Sequence, residues 1–155
     1  MVGLIVGVII VLDQATKWLI ARTLAVHESI TVFDSYFHIT HERNTGAAFS
    51  LLAQAPAAFR QPFFLITTIV AVIALLLFLR KIAASDRLTL TAVAAILGGA
   101  LGNFIDRVRH GEVIDFLLVH WHEYYWPAFN VADSCITVGV ISLLVAAFRE
   151  TRKDT

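Results

Sequence analysis

Four stretches of this chain are each long and apolar enough to cross a lipid bilayer, and no other feature limits its fold so tightly. A spanning helix needs about 20 mostly apolar residues, because in lipid every backbone polar group must find its partner within the segment. The first stretch covers about 2–20 and is interrupted by Asp13 and Lys17. The second, about 62–79, reads PFFLITTIVAVIALLLFL and carries no charge. The third, about 88–105, reads LTLTAVAAILGGALGNFI, and the fourth covers about 131–148. Composition agrees: 58% of the 155 residues are hydrophobic and 15% charged, where a soluble domain is nearer half and a quarter. The expectation is one integral membrane domain over 1–155, with outer loops at about 21–61 and 106–130.

Several classes fall away. Zero formal net charge leaves no basic footprint for nucleic acid. A single cysteine, Cys135, forbids an internal disulfide, and no Cys/His spacing suits zinc. HITHE (38–42) has the wrong order for a zinc protease helix, and His120 and His122 lack an obvious third ligand. No metal and no cofactor is expected. A serine–lysine protease would need a free lysine, but Asp13 sits four residues from Lys17 and shares its helix face. The two are expected to form a structural ion pair. That pair, with no basic residues ahead of the first apolar stretch, argues for a retained span over a cleaved signal peptide.

Basic residues near span ends set orientation. Arg80, Lys81 and Arg87 cluster between spans two and three, and Arg149, Arg152 and Lys153 follow span four. Arg22, Arg43, Arg60, Arg107 and Arg109 lie on the other side, so the bias is slight by count, but the first set is packed tightly against span ends. Both termini are therefore expected in the cytoplasm. In the first outer loop, SITVFDSYFHIT (29–40) is rich in β-branched and aromatic residues and reads as a hairpin about Asp34-Ser35. In the second, Trp121, Tyr124, Tyr125 and Trp126 have the character of a lipid–water boundary.

Two acids at the outer edge draw the chemistry together. Asp133 falls on the first turn of span four, where Asn130 is a good N-cap and the helix dipole favours a carboxylate. Capping alone would explain a lone aspartate there. Asp115, within VIDFLLV, leaves span three among apolar neighbours that raise a carboxyl pKa by desolvation. If the connecting segment returns on itself, the two carboxyls meet, and repulsion keeps one protonated while the other is ionised. That is the pair an aspartic protease uses. Asn103, Asp106 and Arg107 share a face near the same end of span three, and Gly98 and Gly102 form a small-xxx-small pair suited to close helix packing. Intramembrane acids also mark ion pathways, so a small transporter or proton channel is the alternative. It requires polar residues threaded through several spans, whereas these acids gather at one edge.

The blocks DQATK (13–17), RNTGAAF (43–49), GGALGNFIDR (98–107), VIDF (113–116) and FNVAD (129–133) together resemble the lipoprotein signal peptidase family, the bacterial type II signal peptidases. All five lie in family order across the four spans. The resemblance implies a four-transmembrane-helix bundle with a small extracytoplasmic β-sheet cradle in the bacterial cytoplasmic membrane. It implies an intramembrane aspartic endopeptidase with Asp115 and Asp133 as catalytic dyad and a substrate site lined by Asn44, Asn103, Arg107 and Asn130. Asp13, Lys17, Asp106, Gly98 and Gly102 are expected to be structural or supporting. Substrates would be prolipoproteins carrying diacylglycerol on the cysteine after the cleaved bond. Inhibition by globomycin-type compounds, contact with membrane lipid and a monomeric state are expected with them.

Overall fold

A computed structural model describes residues 1–46, 52 and 54–151, the side chains of 150 and 151 excepted. Residues 47–51, which end the RNTGAAF block and continue past it, and the tail residues Arg152 and Lys153, lie outside the described residues. The chain runs α1 (Val2–Thr23), β1 (Ser29–Phe33), β2 (Phe37–Asn44), α2 (Ala57–Leu79), α3 (Arg87–His110), β3 (Val113–Trp121), β4 (Tyr124–Tyr125) and α4 (Val131–Thr151). All four helices meet the length and hydropathy of a membrane span.

The centre of the bundle is α3, which packs against each of the other helices. Its small residues make this possible. A β-carbon at Gly98 would press on Ile9 of α1, one at Gly102 would come within 2.6 Å of Asp13 Oδ2, and one at Gly99 would collide with the Ala132 carbonyl of α4. Gly98 and Gly102 thus seat α1, while Gly99, between them in sequence, seats α4. By contrast α2 buries none of its residues, and Ile66, Ile69, Val70, Ile73, Leu76 and Leu77 point outward. In water such a surface would be untenable; in lipid it is the expected exterior. Thr67, Thr68 and Thr91 return their hydroxyls to carbonyls four residues back, so these three groups do not face the acyl chains as unpaired donors.

The helices overrun the stretches read from hydropathy. α3 begins where Asp86 accepts the amide of Thr89 and ends at Gly111, whose left-handed φ of 74° closes the last turn onto Arg107 O. Consequently Asp106 and Arg107, which fall just past the span end expected at about 105, are helical, in keeping with the shared face read for them with Asn103. The strands form one four-stranded antiparallel sheet in the order β1-β2-β3-β4. The hairpin turns at Asp34-Ser35 as expected, with Ser35 at a φ of 64°. The second outer loop also supplies strands: β3 lies in the middle of the sheet and carries Asp115. Ile20 of α1 and Leu24 at its C-terminal cap bury against Ile114 and Phe116 of β3, fastening the sheet to the bundle.

Candidate active site

After β4 the chain doubles back along β3. Phe129 N donates to Leu117 O, and Phe129 O accepts from the amides of Phe116 and Leu117. This return brings Asn130, the next residue, beside Asp115 and starts α4 there. The capping reading of Asn130 holds in full: Asp133 N donates to Asn130 Oδ1 at 2.9 Å, and Asn130 N donates to Asp133 Oδ2 at 3.2 Å. That reciprocal arrangement is a capping box with Asn and Asp in place of Ser/Thr and Glu.

The same residues join the two acids. Asn130 Nδ2 donates to Asp115 Oδ1 at 2.7 Å, and Asn44 Nδ2, from the end of β2, donates to Asp115 Oδ2 at 2.9 Å. Asn103 Nδ2 donates to Asp133 Oδ1 at 2.7 Å, and Asn130 Nδ2 approaches Asn103 Oδ1 at 3.1 Å. Each of the four carboxyl oxygens therefore accepts one amide N–H. Asp115 is 2% exposed. Burial pushes its carboxyl up to about 7, with the Asp133 charge adding to the rise and the Asn44 and Asn130 donors opposing it. A group that takes up and releases a proton near neutrality suits acid–base work.

Beneath the pair lies a buried ionic cluster. Lys17 Nζ contacts Asp13 Oδ2 at 2.8 Å, Asp106 Oδ2 at 2.9 Å and Asn103 Oδ1 at 2.8 Å. The expected Asp13–Lys17 pair is present, and it has a second acid that helical spacing alone did not supply. Asp13 Oδ1 also accepts Ala132 N of α4 at 3.0 Å, and Asp106 Oδ2 accepts Ile114 N of β3 at 3.3 Å. Gln14, which sequence reasoning passed over, donates to Asp106 Oδ1 at 2.8 Å. Its only sequence signal was a polar residue next to an intramembrane acid.

Asp115, Asp133, Asn44, Asn103 and Arg107 line a cleft of about 690 Å³ between α2, α3 and α4. Arg107 lies over the Phe64 ring at 5.0 Å and donates to Gly46 O at 3.3 Å, so its charge closes one end. Asn130 is wholly buried behind the acids, and Asp106 faces Lys17 instead of the cleft. Thr67, Thr68 and Ala71 form the α2 wall, which was not read from sequence although Thr67-Thr68 is a polar break in that span. Among the described residues no group of three or more His, Cys, Asp or Glu is placed to hold a metal. Cys135 is half-buried and does not line the cleft.

Asp13, Asp106, Asp115 and Asp133 thus gather in one cluster around Lys17 and the cleft, as a protease requires and a threaded ion path does not. A family model described as signal peptidase (SPase) II matches residues 5–149. A lipoprotein signal peptidase of Syntrophotalea carbinolica is 52% identical over 147 residues, covering 95% of this chain and 90% of that one. A protein of the same name from Geobacter sulfurreducens is 54% identical over 144 residues, covering 93% and 89%. A solved bacterial membrane enzyme superposes with a TM-score of 0.89 at 38% identity, covering 99% of this chain and 91% of that one. A match that runs from the first span into the last, on a shared fold and with about half the residues identical, leaves one conclusion: the chain belongs to the signal peptidase II family.

Proposed function

We propose that this multi-pass membrane protein is an aspartic endopeptidase that removes signal peptides from prolipoproteins, cutting before a cysteine that already carries diacylglycerol. The observation that carries the reading is the pair of carboxyls, Asp115 and Asp133, held by three asparagines at the polar end of an otherwise apolar cleft. One carboxyl is ionised and takes a proton from the attacking water. The other is protonated and donates to the scissile carbonyl oxygen as the C–O bond to water forms. Collapse of the tetrahedral adduct breaks the C–N bond, the leaving amine gains a proton, and the pair returns to a single shared proton. Asn44, Asn103 and Arg107 would bind substrate backbone at the same end, with Asn130 supporting them from behind. Acyl chains of the substrate would stay in lipid beside α2 and α4.

The clustering of Arg80, Lys81 and Arg87 between α2 and α3 supports a cytoplasmic position for both termini and an extracytoplasmic one for the acids. The outward aromatic residues of the sheet, Trp121, Tyr124, Tyr125 and Trp126, support contact with the lipid headgroups. The protein is taken to act as a monomer, and globomycin-type compounds are expected to occupy the cleft over the two acids. The test is cleavage of a diacylated prolipoprotein peptide by purified protein. Asp115→Asn and Asp133→Asn should each abolish turnover while the protein still elutes as a folded species in detergent. Normal turnover by either variant sinks the assignment.

A further inference from the structure

We propose that Lys17 is a positioning residue for the carboxyl pair, acting through Asn103. A lysine ammonium has three donors and no acceptor, and Lys17 spends its three on Asp13, Asp106 and Asn103 Oδ1. An asparagine side chain has two orientations that differ by exchange of oxygen and nitrogen. With an ammonium at 2.8 Å from one end, only the orientation with Oδ1 toward Lys17 is tolerable. The Nδ2 end must then face Asp133, to which it donates at 2.7 Å. Asn130 Nδ2, at 3.1 Å from the same Oδ1, reinforces the choice but is held mainly by Asp115. A cation thus sits one amide away from a reacting carboxyl, without touching substrate or the cleft.

The charges around the pair make that cation matter. From α1 the pair faces Lys17 and Asp13, and from α3 it faces Arg107, which has Asp106 beside it as a further acid. On β2, Glu42 and Arg43 lie in register with Asp115 and Ile114 but are engaged by His27 and Glu112. Four buried or half-buried acids therefore share two bases, Lys17 and Arg107. The Lys17 charge is among the influences that hold the Asp115 carboxyl down, against burial and Asp133. Without it the protonated form of Asp115 would persist to higher pH.

The inference rests on Asp115 and Asp133 being the reacting pair. Removing Lys17 alone strands Asp13 and Asp106 in an apolar setting, a loss that prevents folding in many proteins. The informative variant is therefore Asp13→Asn with Lys17→Met, which keeps the net charge of the cluster. Asp13→Asn alone serves as reference, because it leaves Lys17 on Asn103. The purified full-length proteins are compared for thermal stability, kcat, KM and the pH dependence of diacylated-peptide cleavage. Relative to the reference, the double variant should lose at least about tenfold in kcat with KM little changed, and its alkaline limit of activity should move up by about one pH unit. A double variant with the reference kcat and limit overturns the proposal. So does a fall in kcat with no movement of the limit, since a purely structural lysine would produce it. Should the methionine variant not fold, Asp13→Asn with Lys17→Gln keeps a neutral donor on Asn103 and reads the same limit. Asp115→Asn run alongside separates the two readings: normal turnover there overturns the dyad itself, and this proposal with it.

Discussion

Asn130 and Asp133 cap one another across the first turn of α4, each backbone N–H donating to the other's side-chain oxygen. A helix start and half of a proposed catalytic pair are thus the same atoms. The first turn leaves backbone N–H groups unpartnered in any helix, and here the carboxyl proposed to react satisfies one of them.

That double duty can be dissected. Asn130→Ser keeps a capping oxygen but loses the donor to Asp115, whereas Asn130→Ala loses both. Alanine should cost about 0.5–2 kcal/mol more than serine would at a cap. Thermal unfolding in detergent should rank wild type above serine above alanine. Cleavage should fall steeply in both variants, because Asp115 Oδ1 loses its 2.7 Å donor in each. Wild-type turnover by the serine variant would show that the donor to Asp115 is dispensable.

Activity should follow a bell in pH, because the proposed mechanism needs one proton on the pair and fails with two or none. With the Asp115 carboxyl raised to about 7, the optimum lies nearer neutrality than strong acid. The two limits belong to the pair jointly. A cleavage profile with a substrate that does not titrate over the range is the check. Activity that climbs with pH and never declines would remove the need for a protonated carboxyl.

Stability should carry the same signature with a definite sign. Asp115 binds its proton more tightly folded than unfolded, so between its ordinary carboxylate value and about 7 the folded state holds more proton. Its contribution is then fully present below about pH 4 and is lost as pH rises through about 7. Asp115→Asn should raise the melting temperature above pH 7 relative to wild type and lose that advantage at pH 4. Parallel melting curves across the range would contradict the burial of this group.

Packing around α3 gives a prediction independent of catalysis. Gly99→Ala would drive a methyl into the Ala132 carbonyl, whereas Gly7→Ala meets open space. The first should lower the melting temperature by several degrees and disturb the start of α4. The second should equal or exceed wild type, since alanine is the better helix former by about 1 kcal/mol. Equal melting temperatures for the two would mean α3 and α4 are not so closely seated.

The spans, the hairpin and both acids were legible because each leaves a local mark: an apolar run, alternation about Asp34-Ser35, a carboxyl after an N-cap. β3 was not, because VIDFLLVHW is apolar at most positions, and Val113 to Phe116 are buried on both faces, Ile114 and Phe116 against Ile20 and Leu24 and Val113 and Asp115 toward the cleft. Such a run has no period by which to recognise a strand. Lys17 illustrates the other limit. Its link to Asp13 spans one helical turn and could be read, but Asn103 lies 86 residues away and only tertiary packing brings it near. Gly99 escaped notice because the Gly98/Gly102 spacing drew attention to one face of α3, while Gly99 serves another.

The wall formed by α2 has a kinetic consequence. Since that helix buries nothing and the cleft lies between it and α4, the doorway to the acids is sideways, from the acyl-chain layer. A substrate anchored by the proposed diacylglycerol would search for it in two dimensions. The concentration that governs its capture is a mole fraction among lipids, not molecules per litre. Diluting enzyme and substrate in buffer at a fixed detergent-to-protein ratio should leave the rate per enzyme unchanged, whereas adding empty micelles should slow it.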